Sequence, residues 1–161
     1  MPACLALRCL LLAAVLYPAT ARTAGAVSPD SAAAVAVVEE YNDALRAGSL
    51  ERVRAVLGPS LIMFNGAHSG DPRHWEVHMY LSGADLATWP ERFVPGAAPH
   101  ANRLRVLRVN LRGNAALVVT EETGRNKFRQ WSGEMVTYLL GRDGGQWRLV
   151  GYFLRDIENP K

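Results

Sequence analysis

The chain has 161 residues, of which 49% are hydrophobic and 20% charged, and its formal net charge is +3 at pH 7. This composition is typical of one globular domain and excludes a disordered or a collagen-like chain. No segment carries a strong catalytic signature, so the sequence indicates a fold and a compartment more clearly than a chemistry.

The first 26 residues have the pattern of a secretory signal peptide. An arginine precedes an unbroken apolar stretch at 9–17, and a proline with small residues follows it. Cleavage is expected after Ala21 or Ala26, with Ala26 preferred, which leaves residues 27–161 as a single periplasmic or secreted domain. The alternatives are an uncleaved anchor and a chance apolar start, although a bilayer-spanning helix needs about 20 apolar residues.

Removal of this segment changes the chemistry of the chain. Cys4 and Cys9 leave with it, so the mature chain has no thiol, no disulfide and no thiolate metal ligand. Arg8 and Arg22 leave as well, and the net charge falls from +3 to +1. We therefore expect no nucleic-acid partner and no integral membrane segment in the mature chain.

Two helices are predicted at the start of the mature chain. Ser28 can cap a helix that has Pro29 at its first position, and apolar residues then recur at three- and four-residue steps until Gly48. Ser49 begins a short second helix that is predicted to end at Gly58 and the following proline.

The middle of the chain is predicted to hold one strand and a third helix. The strand covers 61–64 and meets the turn signal Asn65-Gly66. Asp71-Pro72 is a cap-and-start signal for a helix that runs to about Leu81. Residues 90–102 contain three prolines and are predicted to be a loop.

Four strands in a meander complete the chain. They are predicted over 103–111, 115–123, 128–140 and 146–156, with turns rich in glycine between them. Helices that precede an antiparallel sheet predict the α+β class, with the helices covering one sheet face.

The order of the predicted elements carries a resemblance to a known superfamily. A long helix ending in Ala47-Gly48-Ser49-Leu50 is followed by a short helix, the strand Leu61-Ile62-Met63-Phe64, a middle helix, and four strands that close on Gly145-Gln146-Trp147-Arg148-Leu149-Val150. Their order over 33–156 resembles the nuclear transport factor 2-like superfamily, and its SnoaL-like branch most closely. The resemblance implies a cone-shaped, curved antiparallel sheet packed against N-terminal helices around a pocket. Relatives include isomerases, cyclases, dehydratases, ligand binders and interaction modules, so no single activity is implied.

Simple hairpin registers predict which strand residues face the cone interior. A bulge or a slip by one residue would exchange the two sheet faces. The residues expected to share the interior face are Leu107, Val109, Leu117, Val119, Glu121, Ser132, Glu134, Val136, Tyr138, Trp147, Leu149, Gly151 and Phe153.

Glu134 and His78 are the candidate acid–base pair. Glu134 is expected among apolar neighbours, where desolvation raises the pKa of a carboxyl group. The alternative is a solvent-facing side chain after a register slip.

His78 lies on the predicted third helix, where SnoaL-like relatives often carry a histidine. These relatives often carry further histidines in the last strand, where this chain has Gly151 and Phe153. Glu121 is expected to form a cross-strand ion pair with Arg105 instead.

A metal site of two histidines and a carboxylate is geometrically conceivable around the predicted third helix. His74 and His78 are four residues apart, with His68 and Asp71 upstream. The spacing differs from the metalloprotease pattern, and solvated histidines are the favoured interpretation. No metal and no cofactor are therefore expected.

The expected function is the binding of a small, largely apolar molecule in the cone of an exported domain. Asn65, Trp75, Tyr138 and Phe153 are the candidate pocket residues, and core packing is the competing interpretation of the aromatic ones. The alternatives are an acid–base enzyme of the isomerase, cyclase or dehydratase type, or a homodimeric interaction module. The homodimer is expected through the open sheet face, burying Trp131 and Tyr152 in an apolar stripe that also contains Met135, Val150 and Leu154.

Overall fold

The computed structural model describes residues 28–66, 76–94, 100–125 and 130–155. In these ranges the chain forms three helices and one six-stranded sheet of strand order β2-β1-β6-β5-β4-β3, which confirms the α+β class. The elements are α1 (Pro29–Ala47), α2 (Leu50–Val56), β1 (Leu57–Gly66), β2 (Glu76–Ser82), α3 (Gly83–Phe93), β3 (His100–Arg112), β4 (Ala115–Arg125), β5 (Gln130–Asp143) and β6 (Gln146–Arg155).

The first helix begins and ends where the sequence predicts. The Ser28 hydroxyl accepts a hydrogen bond of 3.1 Å from the backbone N–H of Ser31, and Pro29 occupies the first turn. Gly48 adopts φ 67°, a left-handed conformation that favours glycine, and its N–H returns to the carbonyl of Leu45. The second helix ends at Val56, earlier than predicted, because the chain enters β1 at Leu57 and Gly58 lies in that strand.

The sheet is mixed, whereas the sequence predicted antiparallel pairing throughout. β1 and β6 run parallel, with Phe64 beside Phe153, and the other four neighbouring pairs are antiparallel. Gly151 permits this contact, since a Cβ there would lie 2.6 Å from Ile62 Cγ2 and 2.8 Å from Ile62 O. The first strand and the last strand therefore lie side by side in the middle of the sheet.

The prediction of a third helix over 71–81 is wrong in the part that the structure describes. Residues 76–82 form β2, which pairs with β1, and the helix α3 follows it at Gly83. Val77 and Tyr80 suit a strand better than a helix. α3 also occupies the first part of 90–102, which was predicted to be a loop.

The interior face of the sheet, which packs against α1, differs from the predicted one in β4. Val118 pairs with Tyr138 and Glu122 with Glu134, so the even-numbered residues of β4 point inward. Leu107, at a register shift between β3 and β4, is exposed. The predicted interior positions of Leu117, Val119 and Glu121 are therefore wrong. The structure pairs β4 and β5 five residues away from the expected register, and a displacement by an odd number of residues exchanges the two faces.

A second register shift changes the end of β6. It falls between Leu139 and Leu140 of β5, where Leu140 pairs with Leu149 but Leu139 pairs with Gly151. Tyr152 therefore pairs with Tyr138 and is buried on the interior face. Phe153 lies on the opposite face, called the open face below. The prediction that Phe153 faces the pocket is therefore wrong, and so is the prediction that Tyr152 lies in a dimer interface.

The core lies between the interior face and the helices. The largest fully buried side chains include Val38, Val53, Leu61, Val118, Val136, Leu140 and Leu149.

No helix in the described ranges has the length and apolar character needed to cross a membrane.

Candidate ligand site on the interior face

Polar side chains are buried inside this apolar core. In the described ranges they are Asn42 of α1, Thr120 and Glu122 of β4, and Glu134 of β5. Glu122 is 3% exposed and Glu134 is 6% exposed. Burying a polar group costs free energy unless it finds a partner. Four buried polar side chains in one core therefore indicate a candidate functional site.

The Tyr138 hydroxyl joins the carboxyl group of Glu122 to this cluster. It donates to Glu122 Oε1 over 2.8 Å, and the Thr120 hydroxyl donates to the same oxygen over 2.6 Å. One oxygen of the carboxyl group thus accepts two hydrogen bonds. The two donors fix the orientation of Glu122 on the interior face.

Asn42 ties the cluster to three parts of the fold. Its amide nitrogen donates to the Tyr138 hydroxyl over 2.9 Å and to the carbonyl of Val38 over 3.1 Å. Its carbonyl oxygen accepts the backbone N–H of Ala101 over 3.0 Å. The amide therefore links α1 to β3 and β5 and holds Tyr138 in place.

Burial governs the acidity of the cluster. It raises the pKa of Glu122, and the hydrogen bonds from Thr120 and Tyr138 lower it by a smaller amount. Burial also raises the pKa of Tyr138 well above its ordinary value, with a further contribution from the charge of Glu122. Glu122 is thus a carboxyl group suited to holding a proton above the usual range, beside a phenol that stays protonated.

Two further tyrosines lie beside Tyr138, Tyr41 of α1 and Tyr152 of β6. The ring centroid of Tyr41 lies 6.3 Å from those of Tyr138 and Tyr152, and the Tyr138 and Tyr152 centroids are 6.2 Å apart. Burial raises the pKa of Tyr41 and Tyr152 as well, and a hydrogen bond joins these two side chains. The rings supply an aromatic surface next to a polar anchor, which is the usual make-up of a small-molecule site.

Glu134 lies on the interior face, as strand parity predicts, and its Cα partner is Glu122. The expected apolar neighbours of Glu134 are wrong, because the register places a second carboxyl group beside it. Glu122, Thr120 and Asn42 were not predicted as site residues. The pair Glu121-Glu122 did carry a signal, because one of two consecutive strand residues faces inward whichever parity applies. The role of Glu134 as an acid or base stays a prediction.

Two other predicted site residues lie away from this cluster. His78 is exposed on β2, at a register shift, rather than on a helix. Phe153 stacks on Phe64 of the open face, with ring centroids 4.2 Å apart and planes at 4°. His78 and Phe153 are therefore not brought together with Glu134 and Tyr138.

The remaining predictions fall partly outside the described residues. Trp75, His68, Asp71 and His74 lie there, as do the side chains of Asn65, Trp131 and Leu154. Among the described residues, no group of three metal-ligating side chains is placed to hold a metal ion. The predicted cross-strand pair is confirmed, since Arg105 Nε donates to Glu121 Oε2 over 2.8 Å, although the pair lies on the open face.

The mixed sheet, the helices on one of its faces and the buried polar cluster define a small α+β domain of the nuclear transport factor 2-like class. A family model described as "Putative lumazine-binding" matches residues 29–152, and the chain belongs to that family. This confirms the resemblance stated from the sequence at the level of the superfamily. No curated protein matches the chain.

Solved structures of the same fold come from several bacteria. An NTF-2-like protein of unknown function from Silicibacter pomeroyi DSS-3 is 18% identical, with a TM-score of 0.51 over 81% of this chain and 98% of that chain. One from Shewanella oneidensis MR-1 is 14% identical, with a TM-score of 0.53 over 79% and 99%. An LEH-like epoxide hydrolase from M. tuberculosis is 20% identical, with a TM-score of 0.52 over 78% and 85%. At these identities the likeness shows the fold alone.

Proposed function

We propose that this chain binds a small molecule with an aromatic or apolar body and a polar group on the interior face of its sheet. The observation that carries the proposal is the pair of buried carboxyl groups, Glu122 and Glu134, opposed across β4 and β5 beside three tyrosines. Membership of a family described as lumazine-binding supports a ligand of this size and character. The polar group of the ligand meets Glu122 and Tyr138, and its body packs on the aromatic rings.

The first experiment identifies a ligand and then tests the anchor. Native mass spectrometry of protein purified from its host is expected to show a bound small molecule, and lumazine is the probe for a fluorescence titration. Glu122→Gln keeps the shape of the side chain and is expected to weaken binding at least tenfold, about 1.4 kcal/mol. Glu121→Gln on the open face is the matched control. Equal affinities of the two variants would contradict the assignment of Glu122.

Acid–base catalysis on a bound ligand is the second candidate function. The raised pKa of Glu122 and its hydrogen bond from Tyr138 favour it, because a general acid needs a proton near neutral pH. An LEH-like epoxide hydrolase has the same fold, so this fold accommodates an enzyme active site. Once a substrate is identified, Glu134→Gln and Glu122→Gln are each expected to lower turnover at least tenfold while the fold is retained. Normal turnover in both variants would contradict catalysis by these two carboxyl groups and would leave ligand binding as the proposed function.

Homodimerisation through the open face is a further part of the proposal. Val77 is 57% exposed and Tyr80 is 62% exposed on β2, and Leu117 of β4 is exposed on the same face. Three strands separate β2 from β4, so these side chains are spread across the open face, and exposed apolar side chains on one face are typical of an interface. Light scattering at high micromolar concentration is expected to give a dimer mass that Tyr80→Lys lowers to the monomer mass. A monomer in the unmodified protein would contradict the interface.

Export is proposed from the sequence pattern of residues 1–26. Amino-terminal sequencing of protein from its host is expected to begin at Arg22 or Val27. Intact Met1 in a soluble cytoplasmic fraction would contradict export.

A further inference from the structure

A cavity of about 420 Å³ lies beside the amino-terminal half of α1. Its walls are the first turns of α1, the end of α2 and the hairpin between β5 and β6. Its lining on α1 extends from Asp30 to Val37, and Val37 is five residues before Asn42. None of the residues that line the cavity belongs to the buried polar cluster, so this hairpin cavity is distinct from the proposed interior site.

Two donors at the hairpin cavity lack acceptors among the described residues. The Trp147 side chain lines the cavity and is 6% exposed, and its indole N–H has no hydrogen-bond partner in the described ranges. The guanidinium of Arg142 lies over this ring, 4.7 Å from its centroid, and its Nε–H has no partner in this part of the chain either. Trp89 Nε1 is a third such donor among the described residues and does not line the cavity, whereas the other two belong to one stacked pair, Arg142 and Trp147. Because nearly all buried donors in proteins are paired, this stacked pair points to an acceptor supplied from outside the chain.

The charges around the hairpin cavity favour an anion. Arg142 and Arg148 line it together with one carboxylate, Asp30, which accepts from Arg142 Nη2 over 2.5 Å. The amino end of α1 adds a partial positive charge. One positive charge in excess matches a ligand that carries a single negative charge.

The remaining wall is apolar. Ala33 and Val37 of α1 and Val56 of α2 contribute side chains next to the Trp147 ring. An inorganic anion gains nothing from these methyl groups, whereas an apolar chain or ring buries surface against them. The wall therefore selects for an organic anion.

We propose that the hairpin cavity binds a small organic monocarboxylate. The carboxylate accepts hydrogen bonds from Arg142 Nε and Trp147 Nε1, and its apolar part packs on Ala33, Val37 and Val56. Because protein atoms cover both donors, the proposal requires the Arg142 side chain to move when the ligand binds. That side chain is held by the ion pair to Asp30 and by the ring beneath it.

The test uses benzoate and hexanoate as probes, with acetate and inorganic phosphate for comparison. Indole N–H resonances of ¹⁵N-labelled protein are recorded during each titration, and the Trp147→Phe variant assigns the Trp147 signal. Benzoate or hexanoate is expected to move that signal saturably, with an affinity at least tenfold above that of acetate or phosphate. Phosphate binding as tight as benzoate binding would overturn the carboxylate assignment, and no saturable shift with any probe would overturn the site.

Variants separate the binding role of these residues from a structural one. Trp147→Phe keeps an aromatic ring and removes an unpaired donor, so it is expected to preserve or raise Tm while it lowers benzoate affinity at least tenfold. Arg142→Met keeps much of the aliphatic stem and is expected to lower affinity similarly. Arg54→Gln, on the exposed side of α2, is the control. Unchanged benzoate affinity in Trp147→Phe would overturn the proposal. Glu122→Gln changes only the interior site, so this variant is expected to bind benzoate with normal affinity; a loss there would place benzoate at the interior site instead.

Discussion

Glu122 and Glu134 are direct partners across β4 and β5, and both side chains are buried. Like charges on directly opposite strand residues destabilise a sheet. The Glu122 carboxyl also accepts hydrogen bonds from Thr120 and Tyr138, which favour its charged form. Its protonation state therefore affects both the stability of the sheet and the polarity of the interior site.

The stability of the protein is expected to fall with rising pH in the range set by Glu122. Its pKa is raised in the folded state from 4.5, so the stabilising contribution is complete below pH 4.5 and is lost as the pH rises through the folded value. Urea unfolding at a series of pH values measures this slope. Glu122→Gln is expected to remove it, since a neutral amide keeps both hydrogen bonds; a slope unchanged in this variant would assign the effect elsewhere.

Tyr138→Phe is expected to destabilise the fold by about 1–3 kcal/mol, because it takes a partner from both Asn42 and Glu122. It is also expected to raise the pKa of Glu122 further, since the lost hydrogen bond lowers that pKa. The pH at which stability declines therefore moves upward. Tyr80→Phe on the open face is the control, and an equal loss of stability in the two variants would contradict the role of the Tyr138 hydroxyl.

Gly151→Ala is expected to destabilise the fold by about 1–3 kcal/mol, because its Cβ meets the backbone oxygen of Ile62 and forces β1 and β6 apart. Gly141→Ala is a matched control in the neighbouring strand, where the nearest atom to a new Cβ is 3.5 Å away. The denaturation midpoint of each variant measures the difference. Equal midpoints would show that the parallel pair tolerates the extra methyl group.

The exposed ion pair between Arg52 and Glu40 gives a pH dependence of the opposite sign. The hydrogen bond from Arg52 lowers the pKa of Glu40, so its contribution is present above pH 4.5 and is lost as the pH falls through the folded value. Both side chains are about 40% exposed, so Glu40→Gln is expected to cost no more than about 1 kcal/mol at neutral pH. A larger loss of unfolding free energy, measured by chemical denaturation, would show that solvent screens this ion pair poorly.

The sequence predicted elements whose signals are local and missed features that depend on distant pairing. Ser28 and Gly48 mark the ends of α1 through capping and a left-handed turn, and both predictions are confirmed. The strand at 76–82 was missed, because its partner β1 lies across a segment with a strong helix-start signal. Whether Glu121 or Glu122 faces inward depends on a register that one residue reverses.

The interior site could be predicted only in part for the same reason. Glu134 and Tyr138 follow from parity within one strand, whereas Tyr152 and Phe153 exchange faces at a register shift in β6. Asn42 gave no sequence signal, since its role arises from contacts with strands far along the chain. Long-range contacts of this kind have no local pattern from which to be inferred.

The parallel contact between β1 and β6 imposes an order on folding. β1 is synthesised early, yet one of its two sheet neighbours is the last strand of the domain. Closing so long a loop carries an entropic cost, and folds rich in such contacts form slowly. A nascent chain that lacks β6 leaves one long edge of β1 unpaired and the sheet in two pieces. The domain therefore completes its sheet only after β6 has emerged.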